Sequence, residues 1–549
     1  MPTLTWVGKD KVVNHHHDVP FRVLNKQYTF ASQPASQPAS QPASQPANYT
    51  QSASPNSSNN RIIHGDNLEA LKSLLPEFEG KVNCIYIDPP YNTGNEGWVY
   101  NDAVNDPKIK KWLGQVVGKE GEDLSRHDKW LCMMYPRLKL LHRLLADDGV
   151  IFVSLDDNEI ATFRLVMDEI FGKANFLTTI TWKSRAKPSN TGDAKFKPQN
   201  DSEYIAVYKK NHYPKFKIVA SGKDRSYPHS DHDGNYRLQT ILKSNRGESK
   251  RETMQFELNG YTPPPTKRWQ AGEEVIRDLF EKNRITFQTG EPMLKYYEHE
   301  EAEEFSPFYC HVSKDLSGTA ESGKKELNSI LGIEHGFDTV KPIQILNYIL
   351  GRVCVSSDAV FLDSFAGSGT TAHAVLKLNA QDGGNRRFIL IETMDYAETI
   401  TAERVRRVMN GYGEGTKAVA GTGGGFDFYT VGPALFNEDK NLNEDVGEAV
   451  IRSYVTYTEN IPATIQCSQD NPVSRYALGL GDAALWLFYY ERDRITTLNL
   501  DFLATLNVKA LSRRPDQFVI YADKCALDKD FLYKHGITFK RIPRDITRF

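Results

Sequence analysis

The stretch VNCIYIDPPYNTG, residues 82–94, decides the fold of this chain. Its apolar first half ends in Asp88, Pro89, Pro90 and Tyr91, which predicts a buried strand followed by a rigid turn. Ligands of open α/β sheets bind outside the carboxyl ends of the strands, so we expect a functional site at this turn. The prolines fix the Asp88 carboxylate and the Pro89 carbonyl as acceptors beside the Tyr91 ring, an arrangement that fits an amino group on a flat heterocycle.

Other apolar runs alternate with helical patterns, which is typical of a parallel α/β sheet. The predicted parallel strands are residues 61–66, 82–90, 149–156, 359–365 and 387–392. Residues 178–182 and 204–208 are predicted to close the sheet as an antiparallel pair. Since two of the parallel strands follow a long basic segment, we expect one sheet that is built from two separated stretches of chain.

A second motif, DSFAGSGTT at residues 363–371, also follows a predicted strand and precedes a helical pattern. Gly367 and Gly369 allow close approach of a ligand, and the helix start offers free N–H groups to an anion. Glu392 ends the next strand, where an acid can accept hydrogen bonds from ribose hydroxyls. The glycine pattern alone also fits an NAD-dependent oxidoreductase, but that alternative leaves the Asp88 motif unexplained.

Composition narrows the classes of protein further. The 549 residues are 40% hydrophobic and 25% charged, which indicates a globular chain. It has neither an apolar run long enough to span a bilayer nor a signal peptide, so we expect a cytoplasmic protein with no membrane partner. Six isolated cysteines and the lack of a ligand cluster predict no metal site. The net charge is −3, yet residues 183–268 hold 18 basic and 9 acidic side chains, which predicts contact with a polyanion.

The predicted domains are an arm at 1–60, a first catalytic half at 61–182, a basic insert at 183–330, a second half at 331–420 and a C-terminal α/β domain at 421–549. Within the arm, residues 31–47 repeat the unit ASQP, which predicts an extended linker. Three copies of the tetranucleotide AGCC, read in triplets, would encode one such unit. We therefore hypothesise that slippage in a repeated tract of the gene switches expression. Residues 318–325, GTAESGKK, resemble a phosphate-binding loop but are predicted to form only a turn.

The sequence DPPYNTG, the DSFAGSGTT loop and the pair Lys341-Pro342 before a helix together resemble the amino-group DNA methyltransferases that use S-adenosylmethionine. The motif order, with DPPY first, is that of the permuted subgroup. The resemblance implies an α/β fold with a doubly wound, mostly parallel Rossmann-like sheet. It also implies an inserted target-recognition domain and a C-terminal α/β domain. The opening residues and the length also resemble the modification subunit of a type III restriction-modification system.

The resemblance also implies roles for individual residues. Asp88, Pro89, Pro90 and Tyr91 would hold a flipped-out adenine for methylation at N6. The implied residues that bind S-adenosylmethionine are Asp66, Lys341, Pro342, Asp363, Phe365, Ala366, Gly367, Gly369, Thr370 and Glu392. Among them, Asp66 would contact the adenine edge of the cofactor, Glu392 would bind its ribose, and Lys341 and Pro342 would cap the pocket.

The implied partners are double-stranded DNA, a second copy of this chain in a homodimer, and the restriction (Res) subunit. Two other functions stay open at this point. A cytosine N4 methyltransferase would use the same site, and a catalytically silent, sequence-specific DNA-binding protein would keep the fold without the reaction.

Overall fold

A computed structural model of the protein describes residues 3–32, 59–92, 126–187, 192–220, 225–246, 250–287, 290–301, 305–332, 335–337, 339–353, 356–511 and 513–547. It divides into two compact units, of which the smaller is Ile218–Phe308 and the larger comprises Met1–Lys217 and Tyr309–Phe549. Most of the ASQP repeat and residues 93 and 94 of the first motif lie outside the described residues.

The larger unit contains a ten-stranded mixed sheet. Its strands in chain order are β1 Arg22–Ala31, β2 Arg61–His64, β3 Val82–Ile87, β4 Leu145–Leu155, β5 Phe176–Lys183, β6 Ser202–Lys209, β7 His311–Val312, β8 Val360–Asp363, β9 Arg387–Glu392 and β10 Gly425–Ala434. Their order across the sheet is β1-β10-β2-β9-β8-β3-β4-β6-β5-β7. The predicted parallel strands all form, and the predicted antiparallel pair is confirmed as β5 and β6.

The helices of this unit connect or cover these strands. Those used below are α1 Asn67–Phe78, α2 Arg126–Leu144, α3 Ile160–Met167, α4 Ala320–Leu331, α5 Ile343–Leu350, α6 Thr370–Asp382, α7 Glu403–Asn410, α8 Glu448–Thr458 and α9 Lys529–His535. From β3 the chain passes through α2 to β4, which is the neighbour of β3 away from β8. From β8 it passes through α6 to β9, which is the neighbour of β8 away from β3. The direction of winding therefore reverses between β8 and β3, which pair in parallel. This confirms the doubly wound α/β fold and its switch point.

The central strands are mostly apolar, which is typical of a sheet that helices cover on both faces. Cys84, Ile85 and Ile87 of β3 are fully buried, as are Ile151 and Val153 of β4. Ile85, Ile87, Ile151 and Val153 join one core with apolar side chains of α1 and α2. Burying each such side chain contributes about 1.5–3 kcal/mol, so this core holds the strand ends in fixed positions.

Two strands at one edge of the sheet were not predicted. β1 lies within the segment expected to be an arm, and it pairs antiparallel with β10, which follows the glycine run at 421–424. β10 in turn pairs in parallel with β2. The main sheet thus includes residues from both sides of the catalytic stretch.

Residues 318–325 form a helix start where a turn was predicted. Thr319 caps α4, since its side chain accepts from Ser322 N while the Ser322 hydroxyl accepts from Thr319 N. This reciprocal capping satisfies two backbone donors and accounts for the sequence without a bound phosphate. None of the helices within the described ranges combines the length and apolar character needed to cross a membrane.

The C-terminal residues of the larger unit form a second, four-stranded sheet. Its strands are β11 Ala477–Leu480, β12 Ala484–Phe488, β13 Gln517–Ala522 and β14 Ile537–Arg541, in that order. β11 and β12 are antiparallel, and the other neighbours are parallel. With α8 and α9 they build the mixed α/β layer that the sequence predicts here, around apolar clusters of their own.

The smaller unit has an antiparallel sheet with strands His229–Asp231, Gly234–Thr240, Met293–Tyr297 and Ile285–Thr286. A hairpin of Leu242–Ser244 with Lys267–Trp269 and the helix Glu273–Glu281 complete its core around Trp269. Its sequence holds 13 basic and 16 acidic residues. The positive excess predicted for residues 183–268 therefore belongs mostly to residues 183–217, which are part of the larger unit.

Candidate active site

The two sequence motifs meet at the carboxyl ends of β3 and β8. Phe361 and Cys84 are register partners in these strands, so Asp88 and Asp363 follow at one edge of the sheet. A cleft between them is lined by both motifs and by the segment before α5. Its lining residues are Tyr86, Asp88, Pro89, Tyr91, Phe337, Thr339, Val340, Lys341, Leu346, Asp363, Phe365, Ala366, Gly367, Ser368, Thr370 and Thr371.

A cluster of charged and phenolic groups occupies one end of the cleft. The Lys341 ammonium donates to Tyr91 Oη at 2.5 Å and to Glu203 Oε2 at 2.9 Å, and it lies 3.2 Å from Asp88 Oδ1. Tyr91 Oη also lies 2.9 Å from Ser154 Oγ and donates to Glu203 Oε2 at 2.9 Å. Four elements thus converge on one polar cluster: the β3 turn, β4, β6 and the segment before α5.

Burial and neighbouring charge shift the pKa values in this cluster. Burial raises the pKa of Asp88, and Glu203 raises it further, while Lys341 opposes both effects. Burial also raises the pKa of Tyr91 well above its ordinary value, so the phenol stays protonated. For Lys341, burial lowers the pKa, but Asp88 and Glu203 outweigh it and the net shift is upward. The ammonium therefore remains charged at neutral pH.

A buried anchor holds the turn that carries Asp88. Trp130 Nε1 of α2 donates to the Pro90 carbonyl at 2.6 Å. Asn92 is buried at φ 61°, and its amide donates to Glu159 Oε1 at 2.5 Å. These contacts fix the turn on both sides of Tyr91 and limit movement of its ring.

The second motif forms a tight loop that leads into α6. Gly367 and Gly369 have φ values of 52° and 80°, in the left-handed region that favours glycine. A Cβ on Gly369 would lie 3.2 Å from the Thr401 carbonyl oxygen, so a side chain there would press on that backbone. The Thr401 hydroxyl donates to the Gly367 carbonyl at 2.5 Å and closes the loop from behind.

Two acids beside the loop have strongly shifted pKa values. Asp363 accepts from Thr371 Oγ1 at 2.6 Å and from Phe365 N at 3.0 Å, yet burial raises its pKa to about 7. Glu392 accepts from Gly367 N at 2.8 Å and from Met394 N at 2.9 Å, and burial raises its pKa to about 7 as well. Ionised forms of both acids would be stabilised by a cation in the cleft.

A buried cation supports the loop from beneath. Arg404 of α7 is fully buried, and its guanidinium donates to Ser368 Oγ at 2.9 Å and to Thr370 Oγ1 at 2.7 Å. Burial lowers its pKa to about 10, which leaves it charged at neutral pH. The loop therefore presents helix N–H groups and hydroxyls that are backed by a positive charge.

Nine of the fourteen predicted site residues line the cleft: Asp88, Pro89, Tyr91, Lys341, Asp363, Phe365, Ala366, Gly367 and Thr370. The other five lie beside it. Asp66 caps α1 by accepting from Leu68 N and Glu69 N, and its Oδ2 lies 3.8 Å from Arg137. Pro342 precedes α5 as its cap, and Pro90, Gly369 and Glu392 support the two loops as described above.

Sequence reasoning missed Glu203, whose Oε2 accepts from both Lys341 Nζ and Tyr91 Oη at 2.9 Å. Glu203 is the second residue of β6, which runs antiparallel to β4 with Tyr204 opposite Leu155. The start of an antiparallel strand lies at the same sheet edge as the ends of its parallel neighbours. An acid directly before the predicted strand 204–208 was therefore the signal that could have identified it.

Aromatic side chains in or beside the basic segment differ widely in burial. Trp182, Tyr208 and Trp269 are fully buried and belong to the packing. Phe196 and Tyr213 are 80% and 72% exposed, and they lie among the exposed lysines of the larger unit.

Comparison with known proteins agrees with this geometry. A family model described as DNA methylase matches residues 82–403. The chain is 35% identical over 373 residues to the Mod subunit of the type III restriction-modification enzyme StyLTI of Salmonella typhimurium, covering 63% of this chain and 54% of that protein. It is 30% identical over 418 residues to the EcoPI Mod subunit of Escherichia phage P1, with coverages of 68% and 62%.

A third relative is the type II methyltransferase M.KpnI of Klebsiella pneumoniae, 31% identical over 375 residues that cover 61% of this chain and 81% of that enzyme. The chain thus spans less than two thirds of the two Mod subunits but most of M.KpnI. The family model covers more than half of the chain and includes both motifs, the loop and the cleft between them. This chain belongs to the DNA methylase family.

Proposed function

We propose that the protein transfers a methyl group from S-adenosylmethionine to the N6 amino group of a flipped-out adenine in double-stranded DNA. One observation carries the proposal: the Asp88–Tyr91 turn and the Gly367 loop line a single cleft at the switch point of the sheet. A rigid acceptor turn thereby faces a loop that is built to bind a nucleoside-like molecule.

The residues of the loop side fit the methyl donor. The glycine backbone and Thr370, backed by Arg404, suit its carboxylate, and Asp363 suits its positively charged groups. Phe337, Phe365 and Leu346 offer apolar surface for its adenine ring. Glu392 accepts from the Gly367 N–H and Asp66 caps α1, so neither lines the cleft. Contacts of Glu392 with the ribose and of Asp66 with the adenine edge of the cofactor remain part of the proposal. When bound, the donor supplies an electrophilic methyl group on sulfur.

The turn side fits the target base. A base within a duplex must be flipped out at a cost of a few kcal/mol, and stacking on Tyr91 would return ~1–3 kcal/mol. The Asp88 carboxylate and the Pro89 carbonyl accept the two amino hydrogens, so that the nitrogen lone pair is directed at the methyl group. As the N–C bond forms, nitrogen gains positive charge and then loses a proton, which Asp88 is placed to accept or to pass on to water.

The test is the position of the methyl group in a host that expresses the protein. Single-molecule methylome sequencing with and without expression should reveal N6-methyladenine at one recurring sequence. Methylation of cytosine N4 at that sequence would support the related alternative, and no new methylation would favour a silent DNA-binding protein.

We further propose that the protein is the modification subunit of a type III restriction-modification system and acts in the bacterial cytoplasm. The similarity to the StyLTI and EcoPI Mod subunits supports this. The expected assembly is a homodimer that binds a Res subunit, and light scattering of the chain alone and with that subunit tests it. The unit Ile218–Phe308, inserted between β6 and β7, is the proposed target-recognition domain.

Expression of the protein is proposed to switch by slippage within the ASQP-coding tract. The perfect four-residue unit at residues 31–47 motivates this hypothesis. Sequencing the gene decides it, since scattered synonymous codons in place of a tetranucleotide repeat would remove the mechanism.

A further inference from the structure

Lys341 brings an ammonium group into the cleft, beside the turn that carries Asp88 and Tyr91. Its Nζ lies 2.5 Å from Tyr91 Oη, 2.9 Å from Glu203 Oε2 and 3.2 Å from Asp88 Oδ1. A lysine ammonium has three hydrogens, and these three acceptors satisfy all of them. The same Nζ lies 4.6 Å from the centroid of the Tyr91 ring, within the range of a cation–π contact.

Two of these contacts, with Asp88 and with the ring of Tyr91, are also given to the target amino group by the proposed function, on which this inference rests. That group is to be held by Asp88 beside the ring of Tyr91. An amino nitrogen that accepts a methyl group becomes tetrahedral and positively charged, so it comes to resemble an ammonium. The position that Lys341 Nζ occupies is therefore one that would stabilise a positively charged target nitrogen.

We propose that Lys341 Nζ holds the position of the target amino group, that the entering base displaces it from Asp88, and that Glu203 retains the displaced ammonium. Glu203 is then a positioning residue, since it acts on the base only through Lys341.

The burial of Lys341 and Glu203 explains why the ammonium needs a second carboxylate. The side chains of Lys341 and Glu203 are 14% and 17% exposed. An ammonium that left Asp88 without another anion would be poorly solvated, which is costly. Because Glu203 belongs to β6 and not to the Asp88 turn, it can keep the ammonium while the base occupies the turn.

This arrangement predicts a specific coupling between two residues. Without the Glu203 carboxylate, Asp88 would be the remaining anionic partner of Lys341, so the ammonium would compete more strongly with the base. Without Lys341 there is no competitor, and the charge of Glu203 should then have little influence on binding of the amino group.

The experiment compares two DNA duplexes that contain the recognition sequence found by methylome sequencing. One has adenine at the target position and the other has purine, which lacks the amino group. Affinities of the full-length chain are measured with S-adenosylhomocysteine present, at pH 8. The ratio of the two affinities contains the contact of the amino group and the lower cost of flipping the weakly paired purine. Because the flipping cost is the same for every variant, a change in the ratio between variants reports the contact of the amino group, which a merely structural role of Glu203 would not change.

Relative to wild type, Lys341→Met should raise the adenine-to-purine ratio about threefold or more, Glu203→Gln should lower it, and the double variant should return to within about twofold of Lys341→Met. An equal loss from Glu203→Gln in both backgrounds overturns the proposal. So does a ratio for Lys341→Met at or below that of wild type, which decides the matter even if Glu203→Gln does not fold. If wild type does not methylate DNA at all, the proposed function itself has failed.

Discussion

The backbone N–H of Val360 donates a hydrogen bond to Oδ1 of Asn83 at 2.9 Å, across a sequence separation of 277 residues. The bond joins the starts of β8 and β3, the two strands whose ends carry Asp363 and Asp88. Since both strands are apolar and buried, their register is fixed, and the two loops beyond them face one cleft. The following predictions test consequences of that arrangement.

The ring of Tyr91 should matter more than its hydroxyl. Tyr91→Ala removes a stacking surface worth ~1–3 kcal/mol per base, so kcat/KM for DNA methylation should fall roughly 10- to 100-fold. Tyr91→Phe keeps the ring and should lose less than about tenfold, because only the Oη contacts disappear. Steady-state kinetics measures both variants. Equal losses in the two would contradict stacking on this ring.

Binding of S-adenosylmethionine should weaken as the pH falls below about 7. The pKa of Asp363 is raised to about 7 by burial, so this acid is protonated below that pH and ionised above it. A cationic ligand favours the ionised form, and binding at pH 6 must therefore release protons. Each linked group can change Kd up to about tenfold per pH unit.

Calorimetry at pH 6 and pH 8, in two buffers with different ionisation enthalpies, measures Kd and the number of protons released. Asp363→Asn should reduce the number of protons released on binding. The protons that are still released should come from Glu392, whose pKa is also about 7. A Kd that stays constant between pH 6 and pH 8 would show that neither acid changes its protonation when the ligand binds.

DNA contacts should include the exposed segment before Lys217. Phe196 is 80% exposed, and Lys195 lies beside it with Nζ 4.8 Å from its ring centroid. Replacing Lys195 and Lys197 by alanine should reduce the slope of log K against log salt by about 0.9 for each lost phosphate contact. Lys540→Ala is the matched control, because that lysine lies in the C-terminal sheet and is already paired with Glu459 at 2.5 Å. An unchanged slope in the double variant would exclude this surface.

The stability of the C-terminal layer should depend on a buried cluster of charged side chains. Arg544 is fully buried and donates to Asp523 Oδ1 and Oδ2 at 2.7 and 2.6 Å and to Glu444 Oε1 at 2.7 Å. Arg544→Met leaves two buried carboxylates without their cation and should lower the free energy of unfolding by about 3–5 kcal/mol. Denaturant titration measures the change. Arg513→Ala, at an exposed site, should stay within ~0.5 kcal/mol, and a similarly small effect at Arg544 would be inconsistent with this role.

The sequence was sufficient for the central sheet and for the two loops. Apolar runs that are buried on both faces are distinctive, and a strand end identifies the place of the loop that follows it. The edge strands β1 and β10 were not predictable in the same way. Residues 22–31 are only partly buried, so their alternation is weak, and their pairing depends on a partner about 400 residues away.

The candidate site was predictable where a residue belongs to a motif. Asp88, Lys341 and Asp363 lie in the cleft, whereas Glu203 was missed because its position depends on the direction of β6. Asp66 shows the opposite case. An acid after a strand fits a ligand site, but the same residue before a helix is also a cap, and here the backbone N–H groups of α1 take its carboxylate.

The central claim is that Asp88 and the Gly367 loop act on one adenine amino group. The most direct measurement incubates the purified chain with duplex DNA and labelled S-adenosylmethionine and identifies the modified nucleoside by mass spectrometry. Wild type should yield N6-methyladenine, and Asp88→Ala, with an unchanged thermal unfolding profile, should yield essentially none. Wild-type activity in Asp88→Ala, or a label found only on cytosine, would contradict the claim.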